Sequence, residues 1–368
     1  MSGVLVLGGY GNFGKRIAEL LVRQGIEVAI AGRDRARAEA CVAALGARGI
    51  NTAIFDIERD LAGALERIAP AVVIDTVGPF QQRGYDAART CIARKIHYLD
   101  LSDGRDYVGG ITALDVEARD NDVLVVSGAS TVPALTSAVV EHFLPRFSAI
   151  ESLDFGIAPG QRAERGLATT EAILGYVGKR LEPCAGYPHR YGWQDLHRQR
   201  YPDLGRRWMA NCDVPDLDLL PPRYGISRMR FSAGMELSPL HLGLWGLSWL
   251  VRAGLPLTLN RFAQPMLAIS NLFNGFGSAD GGMHVLIEGR DRDEQPVSIG
   301  WFIVAKNGHG PYIPAVPSVV LATQLVTEAL ELRGAHPCVG LVSLEDYLAA
   351  LQHLDVSTFE VPGAARSR

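Results

Sequence analysis

Four glycines near the start of the chain, Gly8, Gly9, Gly11 and Gly14, are spaced so that one short turn carries almost bare main chain. Gly9, Gly11 and Gly14 satisfy G-x-G-x-x-G, and Gly8, Gly11 and Gly14 satisfy G-x-x-G-x-x-G. Either register lets a pyrophosphate approach backbone amides that side chains would otherwise screen. Tyr10, Asn12 and Phe13 complete the turn and are candidate contacts with the four glycines. A glycine triplet alone says little in a chain with 40 glycines, and a ligand-free glycine-rich turn is the plain alternative. The setting says more. Apolar residues 4–7 read as a buried strand, Ile17, Leu20 and Leu21 recur at helical spacing, and a second strand follows. The N-terminus of that helix, with its unpaired N–H groups, then faces the phosphates.

The end of the second strand indicates which dinucleotide. A carboxylate placed there would hold a ribose 2′-hydroxyl and repel a 2′-phosphate. Here the strand runs out at Ala31-Gly32-Arg33-Asp34, so the first charge is a guanidinium. Arg33 can pair a phosphate bidentately, and Gly32 is expected to leave room for it. NADP(H) is therefore expected over NAD(H). Asp34 can serve the ribose or, more plainly, N-cap the next helix.

The elements that must position these residues alternate in type. A helical stretch over 35–45 offers Ala36, Ala40, Val42 and Ala43 for packing, and a strand over 51–55 ends in Asp56. A helix over 61–68, an apolar strand over 71–76, a helix over 85–94, a strand over 97–101, a helix over 108–119 and a strand over 122–126 follow. That alternation predicts a doubly wound parallel sheet, hence an α/β first domain. Ligands of such sheets lie beyond the carboxyl ends of the strands, so the loops there carry the candidates. Asp56 can accept from an adenine amine, and Gly78-Pro79, flanked by Val77 and Phe80, lets backbone pass close to ribose and nicotinamide. Asp103 and Ser130 end later strands. Ordinary turn chemistry favours the same residue types at these places.

Gly-Gly-Tyr-Gly-Asn-Phe-Gly at 8–14, Ala-Gly-Arg at 31–33, Val-Gly-Pro-Phe at 77–80, Tyr-Leu-Asp at 98–100 and Gly-Ala-Ser-Thr-Val-Pro-Ala at 128–134 together resemble the saccharopine dehydrogenase-like (saccharopine reductase-type) NADP-binding family. The resemblance is dense over about the first 135 residues, by position in the fold, and thin afterwards. It implies cofactor contacts at Gly11, Asn12, Phe13, Arg33, Val77, Gly78 and Pro79. It also implies a second α/β (α+β) domain whose sheet mediates dimerisation, with C-terminal helices packing back on the first domain. The expected organisation is a Rossmann NADP-binding domain over 1–135, a substrate and dimerisation domain over 136–313, and returning helices over 314–368. The resemblance does not fix a substrate, and the long insertions of the true saccharopine enzymes are not recognisable.

Later segments are less explicit. A strand over 153–158 and a helix over 167–181 precede an arginine- and aromatic-rich stretch over 187–208, read as a loop meeting an anionic substrate or as a solvated excursion. Residues 283–289 and 296–304 read as a β-hairpin, and 318–332 and 344–351 as helices. Before the first of those helices lie His309 and Tyr312, placed by this reading near the cleft between domains. Residues 237–259 are mostly apolar but interrupted by Pro239, His241, Arg252, Gly254 and Pro256. A buried or dimer-interface helix, a membrane-surface contact and a span all remain open for it. Residues 366–368 are expected to fray.

Composition excludes several functions. A net charge of −4 gives no electrostatic case for nucleic acid. Five scattered cysteines without C-x-x-C spacing suggest reduced thiols in a cytoplasmic protein and no metal site. With a strand read from residue 4, no signal peptide is expected. No tyrosine has a lysine four residues on, and G-x-S-x-G and H-E-x-x-H are missing, so short-chain dehydrogenase, acyl-hydrolase and zinc chemistries lack their parts. The expectation is an NADP(H)-dependent oxidoreductase acting on a small molecule. Its proton handling would fall to Asp103, Ser130, His309 or Tyr312, and it would work as a homodimer. A non-catalytic NADPH-sensing protein and a membrane-surface reductase of lipid-like substrates are the alternatives.

Overall fold

The computed structural model describes residues 3–46, 49–81 and 83–363, the side chain of residue 168 apart, so the stretch expected to fray lies outside the described residues. Contacts divide the chain into two compact units, Met1–Ala138 with Pro311–Leu351 and Val139–Gly310 with Gln352–Arg368.

The first unit alternates strand and helix: β1 (Val4–Leu7), α1 (Asn12–Arg23), β2 (Val28–Gly32), α2 (Arg35–Leu45), β3 (Ile50–Ile54), α3 (Ile57–Ile68), β4 (Val72–Asp75), α4 (Asp86–Ile92), β5 (His97–Asp100), α5 (Arg105–Gly110), α6 (Asp115–Asp120) and β6 (Leu124–Ser127). The strands form a parallel sheet in the order β6-β5-β4-β1-β2-β3, the doubly wound arrangement expected. All four residues of β1 are buried, because helices cover both faces and leave no polar side for alternation. α1 turns Ile17, Ala18, Leu20 and Leu21 inward at helical spacing. Each such large apolar side chain removed from water contributes about 1.5–3 kcal/mol. α2 corrects the expectation for its packing: Ala38 is the buried residue, Ala36, Ala40 and Ala43 are exposed and Val42 is half-buried, since the helix touches the sheet on a narrow line.

After α7 (Thr136–Phe143) the chain builds the second unit from β7 (Ala149–Ala158), α8 (Leu167–Tyr176), β8 (Arg180–Leu181), β9 (Arg190–Tyr191), β10 (His197–Tyr201), β11 (Gly205–Asn211), α9 (Asp216–Tyr224), β12 (Arg228–Met235), α10 (Ser238–Arg252), α11 (Ala263–Leu272), β13 (Gly281–Arg290) and β14 (Pro296–Ala305). Its mixed seven-stranded sheet runs β10-β11-β12-β7-β13-β14 and ends with β16 (Val356–Pro362), with β12 and β7 parallel and the other pairs antiparallel. The stretch over 187–208 is thus strand-bearing, not a loop. β10 alternates exposed Arg198 and Arg200 with buried Gln199 and Tyr201, a period of two that the charges disguise.

α12 (Val316–Val326), β15 (Gly334–Pro337) and α13 (Leu344–Leu351) belong to the first unit. β15 pairs in parallel with β6 as a seventh strand. α12 packs on α1, β4 and β5 and buries Val316 through Ala322, so it is a core helix. β16 (Val356–Pro362) pairs with β14 in the second sheet, where helices alone had been expected.

Candidate functional site

The glycine turn joins β1 to α1 and each glycine in it has a local reason. Gly8 has φ +73°, a conformation that side chains rarely adopt. A Cβ on Gly9 would lie 2.5 Å from Ile30 Cβ, and one on Gly14 2.4 Å from the Gly8 carbonyl oxygen, so β2 and the first helical turn close on bare backbone. A Cβ on Gly11 would meet Gly8 O alone, at 3.0 Å, and otherwise open space. α1 begins there without a side-chain cap and without a carboxylate in its first turn. An uncapped positive helix end above open space is the cradle a pyrophosphate requires.

Tyr10 ties this turn to the end of β2. Its hydroxyl accepts the N–H groups of Arg33 (3.1 Å) and Asp34 (3.2 Å), and its ring fills the place of a Cβ on Gly32, 2.2 Å from Tyr10 Cε1. Gly32 is therefore small because Tyr10 packs on it, which replaces the expectation that it makes room for a phosphate. Arg37 lies over the ring, 4.8 Å from its centroid. The exposed Arg33 is thus joined by a second guanidinium that the sequence reading passed over. The signal was available: Arg37 follows Arg33 by one helical turn. Asp34 N-caps α2, its Oδ1 accepting Arg37 N–H at 3.0 Å, and Asp56 N-caps α3, accepting Glu58 N–H at 3.0 Å.

Two buried carboxylates shape the loops after β4 and β5. Asp75 accepts the Val77 N–H at 2.8 Å, the Tyr98 hydroxyl at 3.2 Å and Arg83 at 3.2 Å. Arg83 also donates to the Val77 carbonyl and lies over the Phe80 ring. Val77, the cis Gly78–Pro79 bond and Phe80 are therefore held from below by one ion pair, while Thr76 donates to Leu7 O at 2.8 Å and joins this loop to the glycine turn. Asp100, opposite Asp75 in register, accepts Ser102 N–H (2.9 Å), Ser127 Oγ–H (2.8 Å) and Gly128 N–H (3.1 Å). Burial raises both carboxyls, with Arg83 opposing the rise at Asp75, and carries Asp100 to about 7. Asp75 was not singled out from the sequence and Asp100 only within the Tyr-Leu-Asp motif, though each is an acid closing a strand.

The four proton-handling candidates have distinct surroundings. Asp103 is exposed after β5 and accepts Gln81 Nε2–H at 3.1 Å. Ser130 is half-buried after β6, where Gly128, at φ +78°, packs against Pro133. Tyr312 lies along α1, donating to Glu19 at 2.6 Å with Arg16 over its ring, and burial followed by that carboxylate pushes its hydroxyl up to about 12. His309 belongs to the second unit, its Nδ1 accepting the Asp355 N–H at 2.9 Å.

Residues 4–130 match the sequence model of the saccharopine dehydrogenase NADP binding domain. The solved apo saccharopine dehydrogenase (L-Glu forming) of Saccharomyces cerevisiae superposes with a TM-score of 0.64 at 12% identity, covering 98% of this chain and all of that one; this likeness shows the fold. Proteins of two Mycobacterium tuberculosis strains, H37Rv and CDC 1551, described as proposed trans-acting enoyl reductases, are each 33% identical over 103 residues. That stretch is 27% of this chain and 25% of theirs, so the match spans a quarter of the length of these relatives. Residues 4–130 of the first unit therefore resemble a saccharopine dehydrogenase NADP-binding domain, and the cofactor is NADP(H). The uncapped α1 cradle and the arginine pair at β2 fit that dinucleotide.

Proposed function

We propose that this protein is an NADPH-dependent reductase of a small organic acceptor. The observation that carries the reading is the uncapped N-terminus of α1 above open space, with the Arg33 main chain and the Arg37 guanidinium both on Tyr10 one strand away. Bound NADPH supplies a hydride; the chain must hold the dinucleotide, orient the acceptor and deliver a proton. Gly11, Asn12 and Phe13 offer the helix end to the pyrophosphate, and Arg33 with Arg37 holds the 2′-phosphate. Val77, Gly78, Pro79 and Phe80, fixed by Asp75 and Arg83, form the wall along ribose and nicotinamide. Asp56 and Asp34 keep their helix caps and border the adenosine end. Ser130 and Asp103, at the carboxyl ends of β6 and β5, are the groups assigned to the acceptor and its proton. The hydroxyl of Tyr312 and the imidazole of His309 begin from the hydrogen bonds described above.

The identity to the M. tuberculosis proteins favours one acceptor class, a carbon–carbon double bond conjugated to an acyl group. Loss of NADPH absorbance at 340 nm with short enoyl thioesters, cyclic imines and ketones tests both levels. Turnover of thioesters above the others is the expected result. NADPH binding without turnover of any acceptor would move the protein to the cofactor-sensing reading.

A further inference from the structure

α10 and α11 bury little for apolar helices. Only His241 and Ser248 of α10 and only Ala263 of α11 are buried. Trp249 and Leu250 stand exposed on α10, and Phe262, Ile269, Leu272 and Phe276 recur at intervals of seven, three and four, an exposed stripe along α11 and its ends. Leu272 and Phe276 are each 79% exposed. An exposed apolar stripe of this kind marks a contact with something else.

Charge says what. Residues 237–277 contain Arg252 and Arg261 and no Asp or Glu, in a chain of net charge −4. Arg261 is exposed, and Arg252 lies over the rings of Trp249 (5.0 Å) and Tyr191 (4.0 Å) at the end of α10. Of the flanking carboxylates, Glu236 is neutralised by Arg207 at 3.3 Å and by Gln161 and Ser278 N–H groups, while Glu164 precedes α8 and half-buried Glu171 lies on it. A second copy of the chain seated on this face would gather arginines with no carboxylate in the stretch to pair them. A protein partner would have to supply the whole complement. An anionic lipid surface supplies it everywhere, and aromatic and leucine side chains with arginines at the margin are what a bilayer interface accepts. Spanning is not available. α10 has 15 residues, about 22 Å at 1.5 Å each against a hydrocarbon core of about 30 Å, and no helix among the described residues is long and apolar enough to cross a membrane.

We propose that α10 and α11 dock the protein on the surface of a bilayer bearing anionic headgroups, with the Phe262–Phe276 stripe in the headgroup and acyl boundary. This stands independently of the reductase assignment.

The test is co-sedimentation of the full chain with POPC/POPG (1:1) and with pure POPC vesicles, alongside tryptophan emission and mass by light scattering. The expected result is sedimentation with the anionic vesicles and a blue shift from Trp249. The L272S/F276S double variant should lower the partition coefficient at least about tenfold. Arg261→Glu, a milder surface change, should weaken binding to POPC/POPG and leave POPC unchanged; it decides the matter if circular dichroism shows the double variant unfolded. Wild-type protein staying in the supernatant with both vesicles overturns the proposal, as does binding that neither variant changes. A concentration-dependent dimer that L272S/F276S abolishes, without sedimentation, overturns it in favour of a second copy.

Discussion

Gly14 shows how little room the glycine turn of the first unit leaves. A methyl group there would meet the Gly8 carbonyl oxygen at 2.4 Å and Gly9 Cα at 2.7 Å, both backbone atoms that cannot swing away. Gly14→Ala is expected to shift the turn off the start of α1 and weaken NADPH binding at least tenfold, while the far-UV spectrum stays unchanged; fluorescence titration checks this. Asp100 makes a different prediction. Its carboxyl is raised by burial from 3.8 to about 7, so the folded protein holds this proton more tightly than the unfolded chain. The stability linked to that proton is present below about pH 4 and is lost as pH rises toward 7, up to about 4 kcal/mol. His97 and His241, both lowered by burial to about 4, run the opposite way, losing stability as pH falls from 6.5. A comparison of wild type with Asp100→Asn isolates the carboxyl. Oδ1 can keep its three donors, and the amide replaces the oxygen that has no partner among the described residues. The stability of wild type relative to the variant should fall between pH 4 and 7 in urea titrations, and a flat difference would contradict the assignment.

At the scale of elements, the first unit was legible because its signals were redundant. Val4 to Leu7, the glycine turn and Ile17, Leu20 and Leu21 state strand, turn and helix in three separate ways, and β1, α1 and β2 lie where those signals put them. β15 was not legible: Gly334-Ala-His-Pro337 has neither length nor alternation, and it is a strand because β6 offers it a parallel edge. β10 and β11 hid behind their arginines, because long cationic side chains can line a strand whose alternate residues are buried. β16 reads on its own as a polar tail. Its place comes from seven register pairs with β14 and from the Arg146–Glu360 ion pair. Deleting 356–362 would leave the β14 edge open beside Trp301 and Phe302, now buried. Such a chain should melt lower and scatter light on heating, while retaining NADPH binding in the first unit.

At the scale of the molecule, the candidate site was legible where chemistry demands a residue type and obscure where it demands a position. Gly9, Gly11, Gly14 and Arg33 are readable from type and spacing alone. Arg37 counts because Tyr10 stands beneath it, and Asp75 and Asp100 count because strand ends place them under the loops they hold. The same distinction separates cofactor from acceptor. A dinucleotide is recognised by backbone and a charge, whereas the acceptor in the proposed reading would depend on side chains such as Ser130 and Asp103, whose types occur in any turn. The central claim, that the phosphorylated dinucleotide is held at the α1 end with Arg33 selecting it, is most directly measured by calorimetric titration of wild type and Arg33→Ala with NADPH and NADH. The account predicts tighter binding of NADPH by wild type and a ten- to hundred-fold loss for NADPH alone in the variant, roughly the worth of one charge-assisted pair. Equal losses for the two coenzymes, or no heat with either, would contradict it.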